Sequence, residues 1–143
     1  MIHFKIVTPE KVVYEDEVAQ CTIPTTEGEI TVLPHHIPLI SILNAGELRF
    51  LDKEGEHVMA VWGGFVQVQV DSQLTILADN VERAEDIDIA RADEARKRAE
   101  ELMKKRDEME DVDFARIQAT MEKELNRIRV GEKWKKFKKP QGA

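Results

Sequence analysis

The chain has 143 residues, 42% apolar and 34% charged, with a formal net charge of −7. That length holds one ordinary domain or two small ones. No apolar run approaches the roughly 20 residues that cross a bilayer as a helix, and the start, Met1-Ile2-His3-Phe4-Lys5, lacks a secretory layout, so a location inside the cell or peripheral to something else is expected. Charge is unevenly placed. Residues 1–85 carry five basic and fourteen acidic side chains, and residues 86–143 carry sixteen and fourteen. An acidic first part argues against nucleic acid as a partner. Cys21 is the only cysteine, which rules out an internal disulfide and any multi-cysteine metal site. Its strand-like setting, Val18 to Ile23, reads as a small core hydrophobe.

Strand signals come first in chain order. His3 to Val7 alternates and stops at Thr8-Pro9. Val12 to Val18 and Ala19 to Ile23 follow, then turn residues Thr25 to Glu29. Ile30 to Leu33 closes on Pro34. Ile40 to Leu43 and Glu47 to Leu51 flank Asn44-Ala45-Gly46. Asp52-Lys53-Glu54-Gly55 reads as a hairpin turn, with Gly supplying a positive φ. His57 to Trp62 is broken by Gly63-Gly64. Alternation resumes over Phe65 to Val70, and Leu74 to Ala78 completes the set. Eight to ten short strands with regular turns predict an antiparallel β-sandwich or flattened barrel.

Past Ala84 the pattern changes. No Gly or Pro occurs between residues 65 and 130. Ile89, Ala92, Ala95 or Arg96, Ala99, and Leu102 or Met103 recur at helical spacing behind Asp86, a good N-cap, with Asp88 in the first turn. Asp111-Val112-Asp113 interrupts the run, and Asp113 is a second candidate N-cap. Phe114, Ile117, Met121, Leu125 and Ile128 form a second stripe. Gly131 reads as its C-cap. Two narrow stripes joined by a short link predict an antiparallel helix hairpin. The fold class is therefore α+β, with a sandwich over 1–85 and a hairpin over 86–143. A hairpin with so narrow an apolar face docks weakly and switches easily.

Several clusters could carry chemistry. Arg91 and Arg98, seven apart, share a helix face headed by Asp88. Arg116, Lys123 and Arg127 line the second helix at spacings of seven and four. Two cationic ridges with a carboxylate between them suit an anionic ligand with a hydrogen-bonding ring, such as a nucleotide; solvated i,i+3 ion pairs are the plainer explanation. Glu29, His35 and His36 form a loose set without zinc-site spacing, so no metal site is expected. Lys133-Trp134-Lys135-Lys136-Phe137-Lys138-Lys139 is a basic patch, either a solvated tail or a contact for an acidic protein surface. No phosphate-loop, dinucleotide or nucleophile-elbow motif is present, and no catalytic constellation emerges.

Longer stretches carry a resemblance. Gly28-Glu29-Ile30-Thr31-Val32-Leu33-Pro34-His35-His36-Ile37-Pro38-Leu39 resembles the G-E-x-x-x-L-P-x-H-x-P-L loop of epsilon subunits of F-type ATP synthases. Val7-Thr8-Pro9 with Val13-Tyr14, Gly63-Gly64-Phe65 with Val68, Thr75 to Ala78, and Asp111 to Phe114 are similar to other stretches of that family. The match runs from residue 2 to about 130. It implies a non-catalytic rotor subunit with no required cofactor. Its partners would be the gamma subunit, the polar loops of the c-ring through Glu29 and His36, and the alpha and beta subunits when the hairpin extends to inhibit ATP hydrolysis. Its location would be peripheral, on the cytoplasmic face of the cell membrane, without insertion.

Ile87-Asp88-Ile89-Ala90-Arg91-Ala92 resembles the I/L-D-x-x-R-A motif of the members that bind ATP, and Glu82, Arg98 and Arg127 match positions that accompany it. Lys123 stands where the well-binding members have Arg, keeping the charge but losing the planar fork. The resemblance thus implies regulatory ATP at Glu82, Ile87, Asp88, Arg91, Ala92, Arg98, Lys123 and Arg127. The rival readings are a stand-alone nucleotide-sensing module and a metalloenzyme using His35 and His36.

Overall fold

A computed structural model describes residues 1–138. The chain divides into two compact units, one spanning Met1–Arg83 and the other beginning at Ala84. The first contains eight strands: β1 (Ile2–Val7), β2 (Val12–Val18), β3 (Gln20–Thr25), β4 (Gly28–Val32), β5 (Leu39–Ile42), β6 (Gly46–Asp52), β7 (Gly55–Gln69) and β8 (Gln73–Arg83). They hydrogen-bond in the order β2-β1-β8-β7-β6-β3-β4, and β5 pairs with β7 off that path. Every pairing is antiparallel except β1 with β8, which runs parallel and joins the two ends of the unit.

Alternation decides which side chains go inside. Ile2, Phe4 and Ile6 of β1, Leu48 and Phe50 of β6, and Leu74 and Ile76 of β8 point inward at every second residue and are fully buried. Cys21 lies in the same core, and burial pushes its thiol pKa well up, as expected of a packing residue.

Strand β7 differs from its expected form. Gly63-Gly64 does not end a strand; β7 runs straight through it. Before the glycines Met59 and Val61 are buried, and after them Val66 and Val68 are, so the inward-facing parity switches. Gly64 has φ 116° and lies so near the Leu77 carbonyl of β8 that a Cβ there would sit 1.8 Å from the oxygen. Only glycine permits that approach. The kink lets one strand pair with β6 through its first half and β5 through its second.

The second unit holds α1 (Ile89–Met103) and α2 (Asp111–Lys138), an antiparallel hairpin. Three expectations need correction. Asp88 caps α1, not Asp86: its carboxylate accepts the Arg91 N–H at 3.1 Å, while Asp86 sits in a preceding 3-10 turn, Ala84–Asp86. Helix α2 starts before Asp113, with the Glu110 carbonyl accepting from the Phe114 N–H. Asp111 and Asp113 instead occupy its first turn, where negative charge suits the helix dipole. Gly131 caps nothing. It lies inside α2, where Ile87 and Ile89 press against it; a Cβ would come within 3.0 Å of Ile89 and 3.2 Å of Ile87. Part of the Lys-rich segment is thus helical, with Lys133, Lys135 and Lys136 exposed; Lys139 lies outside the described residues. The turn between the helices is pinned by Arg106, which stacks over Phe114 at 4.2 Å and pairs with Asp111.

Candidate functional site

The head of α1 is built by its cap. Accepting the Arg91 N–H fixes Asp88 against the first turn, so the Asp-x-x-Arg spacing is in the first place a capping interaction. Ile87 and Ala92 are buried, Ala92 completely, and they carry no charge to a ligand. Ile87 lies against Gly131 of α2, and Arg91 beside Ala92 is exposed. Arg98 is also exposed, two turns on.

Close contact of Ile89 with Gly131 sets the register of the hairpin. With equal rise on both helices, Arg91 stands level with the turn Ile128–Arg129, and Arg98 level with Glu122 and Lys123. Equal height along the axis concerns the backbone alone and leaves the pairing of the two ridges a matter of side-chain direction. Lys123 and Arg127 are half-buried. Arg127 pairs with Glu124 at 2.9 Å, and the Glu124 side chain is 8% exposed. Sequence reasoning passed over Glu124, although its i,i+3 spacing to Arg127 was visible. Glu82 belongs to the sandwich unit, on β8 opposite Ala60.

The sandwich residues expected at a protein contact lie at two places in its own unit. Glu29 is on β4 and accepts from Arg49 of β6 at 3.2 Å, while Arg49 also reaches Glu47 at 3.3 Å. Burial alone would lower the Arg49 pKa; the two carboxylates outweigh it and raise it. His36 is half-buried, its Nδ1 held 2.7 Å from the Ile37 carbonyl. Beside it His35 has φ 66°, and its N–H donates to Ser72 Oγ at 2.8 Å. Positive φ at a non-glycine residue is strained backbone that the surroundings must hold. Among the described residues Glu29, His35 and His36 do not bring ligand atoms within reach of one another.

Exposed apolar side chains gather on one sheet face. Ile42, Phe65 and Leu77 stand in a row across β5, β7 and β8, joined by the pairings Ile42 to Phe65 and Phe65 to Leu77. They are 54%, 54% and 47% exposed. Three large side chains at half exposure in one row form a patch of the kind that protein partners cover. A shallow cavity of about 300 Å³, lined in part by Pro9, Phe65 and Leu77, opens beside it.

A kinked β-sandwich followed by a thin-cored two-helix hairpin defines a two-domain class of protein, with charged groups presented from a capped helix head and an apolar patch on the sheet. Two family models together cover nearly the whole chain. That for the ATP synthase delta/epsilon chain beta-sandwich domain matches residues 1–84, and that for the delta/epsilon chain long alpha-helix domain matches residues 85–132. The chain belongs to the ATP synthase delta/epsilon chain family. It is 44% identical over 129 residues to the ATP synthase epsilon chain of Nitratidesulfovibrio vulgaris (strain DP4), covering 90% of this chain and 94% of that one. To the ATP synthase epsilon chain of Halalkalibacterium halodurans it is 40% identical over 129 residues, covering 90% and 96%. A chain in the cryo-EM structure of the Euglena gracilis mitochondrial ATP synthase OSCP/F1/c-ring has the same fold, with TM-score 0.69 at 20% identity, over 95% of this chain and 80% of that one. Among the described residues no helix is long and apolar enough to cross a membrane.

Proposed function

We propose that this chain is a non-catalytic rotor subunit of an F-type ATP synthase, whose sandwich anchors it and whose hairpin regulates ATP hydrolysis. The observation that carries the regulatory part is the thin hairpin core. Among the described residues from Ala84 onward, the buried apolar side chains are Ala84, Ile87, Ala92, Ala99 and Val130. Burying so few small groups contributes a modest free energy, so partners or ligands of ordinary affinity can shift the hairpin between two states.

The sandwich is the anchor. The row Ile42, Phe65 and Leu77 supports attachment to the gamma subunit, and the strained His35-His36 loop with Glu29 supports contact with c-ring polar loops. The extended hairpin would meet the alpha and beta subunits, and the chain would sit peripherally on the cytoplasmic face of the cell membrane. Regulatory ATP would be held by Arg91, Arg98, Lys123 and Arg127, with Asp88 fixing the first turn and Glu82 as a further ligand. Binding only the compact hairpin, ATP at a hundredfold excess over its Kd would stabilise that state by about 2.7 kcal/mol.

Deleting everything after Glu85 tests the regulatory reading. The truncated chain should still assemble with gamma, and the complex should hydrolyse ATP faster; unchanged hydrolysis rejects inhibition. Calorimetry of the full chain with ATP, alongside Arg91→Ala, tests the ligand. Heat that is equal in both proteins rejects the site. Failure to co-purify with gamma would favour a stand-alone nucleotide sensor.

A further inference from the structure

The turn joining β6 to β7 holds a cluster that the rotor function does not use. Asp52, Glu54 and His57 each offer a ligand atom, and these atoms lie within 4.8 Å of one another. We propose that Asp52, Glu54 and His57 form a three-ligand site for a first-row divalent cation of the zinc class, on the sandwich unit.

Four observations converge. First, the backbone brings the ligands together: Asp52 pairs with Gly55 and Phe50 with His57 across a tight hairpin, and Gly55 takes φ 121° to close it. Second, the Asp52 side chain is only 5% exposed, so its charge is held out of water where an opposite charge is most favoured. Third, the group is oriented from behind. Tyr14, far away in sequence, donates its hydroxyl to Asp52 Oδ2 at 2.9 Å, and the Glu54 N–H donates to Oδ1 at 2.8 Å. The imidazole is stacked on Phe50 at 5.0 Å and 13°. Outer hydrogen bonds and a fixed ring are how metal ligands are held in place.

The fourth observation concerns His57 Nε2. It is closed to solvent and lies 3.0 Å from Asp52 Oδ2, yet makes no aligned hydrogen bond to it. A shared proton wants the nitrogen's axis along the N–O line. A shared cation wants it off that line: with both donors about 2.1 Å from the ion, a 3.0 Å separation puts the axis about 45° away. Glu54 is exposed and supplies the third ligand atom, an oxygen. A nitrogen and two carboxylates leave a tetrahedral ion one position for water. That donor set suits zinc better than magnesium, which prefers oxygen alone.

Titrating the full chain with zinc chloride by calorimetry, with imidazole resonances followed by NMR, tests this. One zinc should bind saturably and move the His57 ring signals, with affinity reduced about tenfold or more in Glu54→Gln and in His57→Gln. Glu54 is exposed, so its variant reports on the site even if His57→Gln unfolds the hairpin. Absence of saturable binding would overturn the proposal. So would binding undiminished in Glu54→Gln, with shifts on His3, His35 or His36 instead, since the zinc would then lie elsewhere.

Discussion

The two units of this molecule are held together in different ways. The sandwich buries Phe4, Phe50, Ile6, Ile23, Leu48 and Ile76 almost completely, and tilts the Tyr14 ring against Phe4 and Phe50. The hairpin buries mostly alanines and closes on a glycine. Large side chains locked at many angles make a unit that unfolds as a whole or not at all. Small side chains along one seam make a unit that can open for little free energy. In the function proposed above, the first property suits an anchor and the second a switch, and the two lie in separate sequence blocks.

The largest expected effect tests the stiff half. Phe50 stacks against His57 and packs edge-on to Phe4 at 5.1 Å. Phe50→Ala should cost about 3–5 kcal/mol of sandwich stability in urea unfolding. A loss below about 1 kcal/mol would mean that the core collapses to fill the gap, and the contrast between the units would weaken.

The next effect tests the seam. Gly131→Leu should push Ile87 and Ile89 off α2 and cost about 1–3 kcal/mol of hairpin stability by overpacking. Amide exchange should speed up in α1 and remain slow in the β1 and β8 strands. Equal acceleration in both units would show that they do not open separately. Asp88→Ala comes third. It removes the cap at Arg91 and should cost about 1 kcal/mol, read as fraying of the first turn of α1.

Gly131 also shows where sequence reading reaches its limit. A glycine after a helical stripe is usually a C-cap by local rules. Here the reason for glycine is tertiary: two isoleucines from another element need the room, and no local pattern records that. The Asp86 and Asp88 choice failed for a related reason, since both satisfy the capping rule and only the 3-10 turn at Ala84–Asp86 decides between them. Alternation in β1, β6 and β8 was legible because its period is the period of burial. The parallel partnership of β1 with β8 was not, because alternation says which face is buried and nothing of which strand lies alongside. The ridge of Arg91 and Arg98 was legible from helical spacing. The cluster of Tyr14, Asp52 and His57 was not, because residues 52–55 read as a turn and Tyr14 comes from a strand far back in the chain.

The smallest effect separates the units by how each holds a carboxylate. Burial by itself would raise the Asp52 pKa, but the Glu54 N–H, the Tyr14 hydroxyl and His57 outweigh it and hold the group below its ordinary value. On α1, Asp93 is also lowered, by hydrogen bonds from Arg96 and then Lys97, on an exposed helix face. The sign is the same for both. A depressed folded-state value stabilises the fold above the unfolded carboxylate pKa of about 3.9, and that contribution is lost as pH falls through the folded value. The salt response should differ. At about 1 M salt the Debye length is near 3 Å, so exposed pairs such as Asp93 with Lys97 are screened while enclosed ones are not. Acid unfolding followed on strand amides should therefore keep its steepness below about pH 4 in high salt and lose part of it in Asp52→Asn. On helix amides it should flatten in salt and ignore that substitution. If salt flattens both alike, Asp52 is held by solvent-accessible charge, and the enclosed hydrogen bonds from Tyr14 and Glu54 are not what keeps it ionised.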